Sequence, residues 1–118
     1  MFRTDGTYED FTSPSANIGC VIVDEQARCD IRDRTWSPPP APADCELDFG
    51  QGIAMGVDGS AQLVCAGDTA LSGAPPLAYG NSVQNGDMRC TSTEAEMICF
   101  NVGNGHGFAI SRQNYRIF

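Results

Sequence analysis

The sequence predicts an all-β fold: a small disulfide-stapled antiparallel β-sandwich or partly open barrel built from hairpins. Three observations carry this. Between the Gly and Pro breakers, apolar residues nowhere hold a 3.6-residue period over three turns. Two cysteine pairs, Cys20/Cys29 and Cys90/Cys99, share one C-x8-C spacing that fits a closed hairpin. Asp58-Gly59, a favoured hairpin turn dipeptide, stands between two apolar-rich runs.

Taken in chain order, residues 1–10 are polar and are expected to form a flexible N-terminal segment, with one domain over 11–118. Phe11 to Asn17 reads as a short strand entering a turn. Asn17–Val23 and Gln26–Ile31 make the first hairpin. Paired positions in a two-residue hairpin sum to a constant. With Asp24-Glu25 as the loop, Cys20 faces Cys29 at a non-hydrogen-bonded position, where side chains are closer. Ile18, Cys20, Ile22, Ala27, Cys29 and Ile31 then share one face, with Val21, Val23, Gln26, Arg28 and Asp30 on the other. The same sum centres Cys90 and Cys99 on Glu94-Ala95. Neither dipeptide is of the Asn-Gly type, so longer or bulged turns are expected.

Trp36 to Cys45 must be extended, because its prolines fix φ and exclude helix. It reads as a connector packed on Trp36 and tethered at Cys45 rather than as a PxxP ligand at Pro39–Pro42. Ile53–Val57 and Ser60–Cys65 flank the Asp-Gly turn. Ala66 to Gln84 is rich in Gly and Pro and reads as loop. The second cysteine hairpin follows over Asp87–Val102, and Gly103 to Gly107 turns into a last strand, Phe108–Phe118. The two hairpins lie 70 residues apart, a faint internal repeat.

Composition bounds the function. A chain of 118 residues and 12.6 kDa is the size of one domain, and 42% hydrophobic with 19% charged residues is a globular composition. The net charge of -8 repels phosphate backbones and anionic lipid heads, so nucleic acid is excluded as a partner. The longest apolar run, Ile18 to Val23, is far short of a transmembrane segment.

Six cysteines with no CxxC and one histidine, His106, argue for structural disulfides over metal ligation, and no metal or cofactor is expected. Cys45–Cys65 completes the set by elimination, although 15 connectivities are formally open. In the loop-entropy description the three closures contribute on the order of 8 kcal/mol. Such dependence places the chain in an oxidising, secreted or extracytoplasmic compartment. Met1-Phe-Arg-Thr-Asp-Gly6 has no apolar signal core, so export implies a leader already removed and Met1 an addition. Seven Arg without a Lys, and abundant Ala, Gly, Asp and Pro, fit a GC-rich bacterial source.

The ordered string Phe11-x-Ser-Pro-Ser-x-Asn-Ile-x-Cys20, Cys29-x-Ile31, Ala66-Gly-Asp-Thr69, Leu77-x-Tyr-Gly80, Cys99-x-Asn101, Gly105-His-Gly-Phe-x-Ile-Ser-Arg112 and Tyr115 resembles a family of small cysteine-rich secreted or lipid-anchored actinobacterial proteins, a domain of unknown function. The resemblance spans residues 11–118. It implies an exported envelope protein and transfers no catalytic residue.

Two functions fit these residues. The first is a non-enzymatic secreted or envelope-associated module that binds an envelope protein or glycan through loops on a rigid scaffold, with Tyr79, Asn81, His106 and Arg112 as candidate contacts. The second is a small exported hydrolase in which His106, between two glycines, acts as base for Ser111 with Asp68 orienting it. No GxSxG elbow accompanies it. The acids Asp44, Glu46, Asp48 and Asp68 offer a glycosidase-like pair, and Asp30, Asp33, Asp44, Glu46 and Asp48 a calcium set, but no DxDxDG loop occurs and solvated charge is the expected reading. Arg28, Arg32 and Arg34 interleave with Asp30 and Asp33 and so form no phosphate stripe. Arg112 and Arg116 are expected on one face of the last strand.

Overall fold

A computed structural model describes residues 8–23, 26–56, 59–71 and 73–118. Among the described residues, ten strands form two five-stranded antiparallel sheets. The first holds β1 (Tyr8–Thr12), β2 (Ile18–Val23), β3 (Gln26–Ile31), β4 (Phe49–Met55) and β5 (Gln62–Cys65). The second holds β6 (Ser82–Asn85), β7 (Met88–Ser92), β8 (Met97–Asn101), β9 (Gly107–Ile110) and β10 (Tyr115–Ile117). Each sheet is a meander in which every strand pairs with its chain neighbours. Both are open sheets packed face to face, so the architecture is a sandwich and not a barrel.

The faint repeat is therefore architectural. In each half a disulfide joins the second and third strands: Cys20–Cys29 across β2 and β3, Cys90–Cys99 across β7 and β8. Cα atoms of the two pairs are 4.1 and 4.0 Å apart, as narrow pairs of an antiparallel ladder require. The registers follow the sums read from the sequence, Val23 opposing Gln26 and Ser92 opposing Met97. The expected Asp24-Glu25 loop itself lies outside the described residues. At Glu94-Ala95 the Thr93 hydroxyl replaces glycine: Thr93 Oγ1 accepts from the amides of Ala95 (3.2 Å) and Glu96 (2.9 Å) and donates to the Glu96 carbonyl. The third bridge is Cys45–Cys65, and no cysteine is free.

The alternating residues of β2 and β3 point inward with Ile53 and Met55 of β4. They meet Met88, Cys90, Met97, Cys99, Phe108 and Ile110 of the second sheet in one apolar cluster. β1 packs over β6 and β4 over β9, so strands of equal rank face each other.

Several boundaries differ from expectation. β1 begins at Tyr8, inside the stretch read as flexible, because residues 8–12 complete the sheet edge along β2. Residues 66–84 are not all loop: Ser82–Asn85 pair with β7 around a Gly86-Asp87 turn, where Gly86 takes φ 60°. The final segment is two strands, not one. Ser111 closes a turn by donating from Oγ to the Asn114 carbonyl (3.1 Å) and accepting from the Asn114 amide (3.2 Å). Arg112 thus lies in a turn and Arg116 on β10. Ala54 opposes Gln62, giving a longer β4–β5 loop than Asp58-Gly59 alone would; Val57 and Asp58 lie outside the described residues.

The connector from Trp36 is anchored at both ends. Trp36 Nε1 donates to the Ser111 carbonyl (2.8 Å) and its ring packs on Tyr115, while Cys45 is bridged to β5. Arg34 covers the Trp36 ring at 4.8 Å.

Candidate functional site

One end of the sandwich carries the β1–β2, β7–β8 and β9–β10 turns together with the segments that leave β3 and enter β6. Strand direction places them there, because each meander returns to the same end every second connection. Between them lies a cleft of about 390 Å³, in the range of small-molecule sites.

The cleft is built by side chains that close their own turns. Asn17 Oδ1 accepts from the Asp33 amide (2.8 Å) and its Nδ2 donates to the Asp33 carbonyl (3.0 Å), clamping the β1–β2 turn to the strand exit after β3. Ser13 Oγ accepts from the Ile18 amide (3.1 Å). Within this turn Ala16 sits at φ 64°, a conformation costly to a residue with a Cβ. On the opposite wall Thr93 organises residues 93–96, and Ser111 the turn bearing Arg112 and Gln113. Thr35 donates from its amide (2.8 Å) and its hydroxyl (3.2 Å) to the Arg112 carbonyl, fixing one wall against the other sheet.

The apolar side chains of the lining are Ile18, Ala95, Met97 and the ring of Tyr79; the other lining residues carry hydroxyl, amide, carboxylate or guanidinium groups. Arg32 and Arg112 are balanced by Asp33 and Glu94, while Glu96 is bound to Arg116 at 2.7 Å. The Tyr79 ring stands at the rim, 48% exposed. Ser92 lies in the floor, 1% exposed, and its hydroxyl has no hydrogen-bond partner. A buried hydroxyl left unpaired is unusual and costs roughly 1–3 kcal/mol.

The residues singled out from sequence are divided by the fold. Tyr79, Ser111 and Arg112 line this cleft together. Asn81 is next to it, its carbonyl accepting from the Ser92 amide (3.0 Å), and is exposed. His106 is exposed in the β8–β9 turn at the other end of the sandwich, with ~16 Å of extended β9 between it and Ser111. Asp68 lies on the outer face of the first sheet. The His106, Ser111 and Asp68 side chains are thus not brought within hydrogen-bonding reach of one another.

A second, buried polar arrangement was not legible in sequence. Asp30, read as an exposed acid, is 1% exposed. Its carboxylate accepts from Arg28 Nε (3.1 Å) and Nη2 (2.8 Å) and from the Ala70 amide (3.0 Å). Gly19, Asp30 and Gly52 are directly paired across β2, β3 and β4. A Cβ on Gly19 would strike the Ala70 carbonyl and one on Gly52 the Asp30 carboxylate. Gly19 therefore lets the 68–71 loop lie on the sheet, and Gly52 leaves room for the Asp30 carboxylate that the loop bonds. Outside, Asp68 accepts from Arg28 Nη1 (3.0 Å), and the guanidinium holds its carboxyl below the usual carboxylate range. Arg28 is raised in turn, chiefly by its bond to Asp30. This arrangement locks a loop; its charges are already spent on one another.

Among the described residues, no helix is long and apolar enough to cross a membrane. The sulfurs of Cys20, Cys29 and Cys99 lie within 4.8 Å of one another, but all three are oxidised in disulfides and offer no thiolate. A family model described as "Family of unknown function (DUF6636)" matches residues 3–118, and the chain belongs to that family. No curated protein and no solved structure matches the chain.

Proposed function

We propose that this member of a family of unknown function is a non-enzymatic, extracytoplasmic binding module that holds an envelope protein or glycan in the cleft at one end of its sandwich. The observation that carries this reading is a concave polar cleft walled by turns that close themselves, with the unpartnered Ser92 hydroxyl buried beneath it. A rigid scaffold that presents prearranged polar groups loses little entropy when a partner docks. The three disulfides support a secreted or envelope setting, where such bridges persist. Tyr79 and Arg112 are the contacts of this reading, with Ser92, Arg32 and Glu94 joining them; Asn81 supports the rim, and His106 lies outside the cleft.

The test is an amide chemical-shift titration of the oxidised protein with envelope glycan fractions and with random peptide pools. Shifts concentrated in residues 13–17, 32–33, 79–81, 92–96 and 111–113 are expected. Shifts centred on residues 102–106 instead, or none anywhere, overturn the assignment.

A further inference from the structure

We infer that the end cleft takes a neutral, hydroxyl-rich saccharide, a step that rests on reading the cleft as a binding site. The first argument is the lining. Small-molecule sites are ordinarily walled by apolar side chains with a few polar groups, whereas here most lining side chains carry a polar group and polar surface about equals apolar. An apolar ligand would strand the lining groups that are not already bonded within the turns, at a cost for each. A ligand carrying donors and acceptors on every edge would satisfy them.

The second argument is charge. The two guanidiniums and two carboxylates left after Glu96 pairs with Arg116 cancel, so the cleft selects neither an anion nor a cation. The -8 charge of the whole chain adds a repulsion against polyanions. Carboxylate, amide and guanidinium groups each present two atoms in one plane, a geometry that meets adjacent hydroxyls on a sugar ring in pairs.

The third is the pairing of Tyr79 with Ser92. The Tyr79 ring at the rim offers an apolar face with a polar tip, suited to the C–H face of a pyranose. Below it, the amide of Gly80 donates to the Ser92 carbonyl (2.7 Å), so rim and floor are held to one another. The Ser92 hydroxyl is buried beneath the lining without a partner, and a sugar oxygen would reach it where the side chains above it give way. A protein surface fits less well: a standard interface buries ~800 Å² per partner around an apolar, aromatic centre, and this cleft is concave with one aromatic ring.

The experiment titrates the oxidised protein with maltohexaose, cellohexaose, chitohexaose and mannohexaose at millimolar concentration, and in parallel with a random peptide pool, at low and at high salt. Amide shifts and calorimetry are the readouts, and Tyr79→Ala and Ser92→Ala the variants. At least one saccharide is expected to shift the cleft amides with an affinity that changes less than about twofold with salt. Tyr79→Ala is expected to weaken it about tenfold or more. Ser92→Ala is expected to weaken binding several-fold while leaving the urea midpoint unchanged or raised, since it removes an unpaired buried hydroxyl. A residue needed only for the fold would lower the midpoint and the affinity together.

Silence from all four saccharides, affinity that falls steeply with salt, or binding indifferent to both substitutions overturns the inference. If the peptide pool shifts the cleft amides while the saccharides do not, the cleft remains a binding site and only its ligand class falls. If neither does, the broader reading falls with it.

Discussion

Cys29 and Cys99 occupy the same place in their two sheets, and their sulfurs lie 3.6 Å apart across the core. The two hairpin disulfides therefore pack on each other, whereas Cys45–Cys65 ties the connector to β5 at the periphery. Replacing any one bridge by paired alanines should cost about 3 kcal/mol. Removing both core bridges should depart from additivity by about 0.5–3 kcal/mol, because each is the other's packing partner. Either core bridge combined with Cys45–Cys65 should add. Urea unfolding of the single and paired removals checks this, and additivity throughout would refute the coupling.

Asp30 and Asp68 share Arg28 but not its consequences. Asp30→Asn removes the charge of a buried carboxylate from its pairing with the half-buried Arg28 guanidinium and should destabilise by about 1–3 kcal/mol. Asp68→Asn should barely move the melting midpoint, since that carboxylate is exposed. The pH dependence follows from the depressed Asp68 carboxyl: its contribution is present above the ordinary value of 3.8 and is lost as pH falls through its lower folded value. Arg28 stays charged throughout that window. The part of the stability owed to the Arg28–Asp68 pair should therefore hold from neutral pH to about pH 4 and be lost only below it, read as the difference in urea midpoint between wild type and Asp68→Asn; a loss of that difference already near pH 6 would contradict the assignment.

Gly52 and Gly56 should respond differently to the same methyl group. Gly52→Ala drives a Cβ into the Asp30 carboxylate and the Cys29 carbonyl, whereas a Cβ at Gly56 meets nothing within 4 Å. The first should cost about 1–3 kcal/mol or more, the second well under 1 kcal/mol. Equal losses in thermal melts would mean that the Asp30 carboxylate does not lie over Gly52 as described.

Ala16 holds φ 64° at the cleft edge, so Ala16→Gly should relieve about 1–2 kcal/mol of backbone cost against about 0.5–1 kcal/mol of added chain entropy. The melting temperature should stay level or rise. A clear fall would show that the turn does not adopt this conformation in solution.

Trp36 is the sole tryptophan, and its indole donates to the Ser111 carbonyl in the turn that carries Arg112. A ligand that engages Arg112 should alter the emission of Trp36, and Trp36→Phe should abolish the signal while retaining most of the binding. Unchanged fluorescence at saturation, established by an independent method, would place the ligand elsewhere.

The hairpin registers were legible because a ladder with two-residue connections obeys simple arithmetic, and Cys20/Cys29 and Cys90/Cys99 supplied its fixed points. β6 was signalled by Asn85-Gly86 but masked by the Gly- and Pro-rich stretch before it. The break between β9 and β10 carried no Gly or Pro at all; it is made by the Ser111 hydroxyl, which sequence alone does not show bonding to Asn114. Asp30 looked solvated because its cover, the 68–71 loop, is distant in the chain. The cleft was half legible: Tyr79 and Arg112 were visible as exposed polar residues on turns, but Ser92 and Arg32 join them only once the strand order fixes which turns share an end. His106 drew notice for its glycine neighbours, and the same strand order carries it to the opposite end.

None of the three disulfides crosses between the meanders. Two close within residues 20–65 and one within 90–99, so the stretch from Ala66 to Asn81 is the sole covalent tie between the sheets. That stretch is fastened to β1 through Thr12, whose amide and carbonyl bond Pro75 and Leu77 and whose hydroxyl bonds Ala74. A protease that cut it once would leave a nicked molecule of two chains, each knotted within itself and neither chained to the other. Such a molecule would keep its shape for as long as the two apolar faces held, and would come apart into clean halves, without any reductant, once they did not.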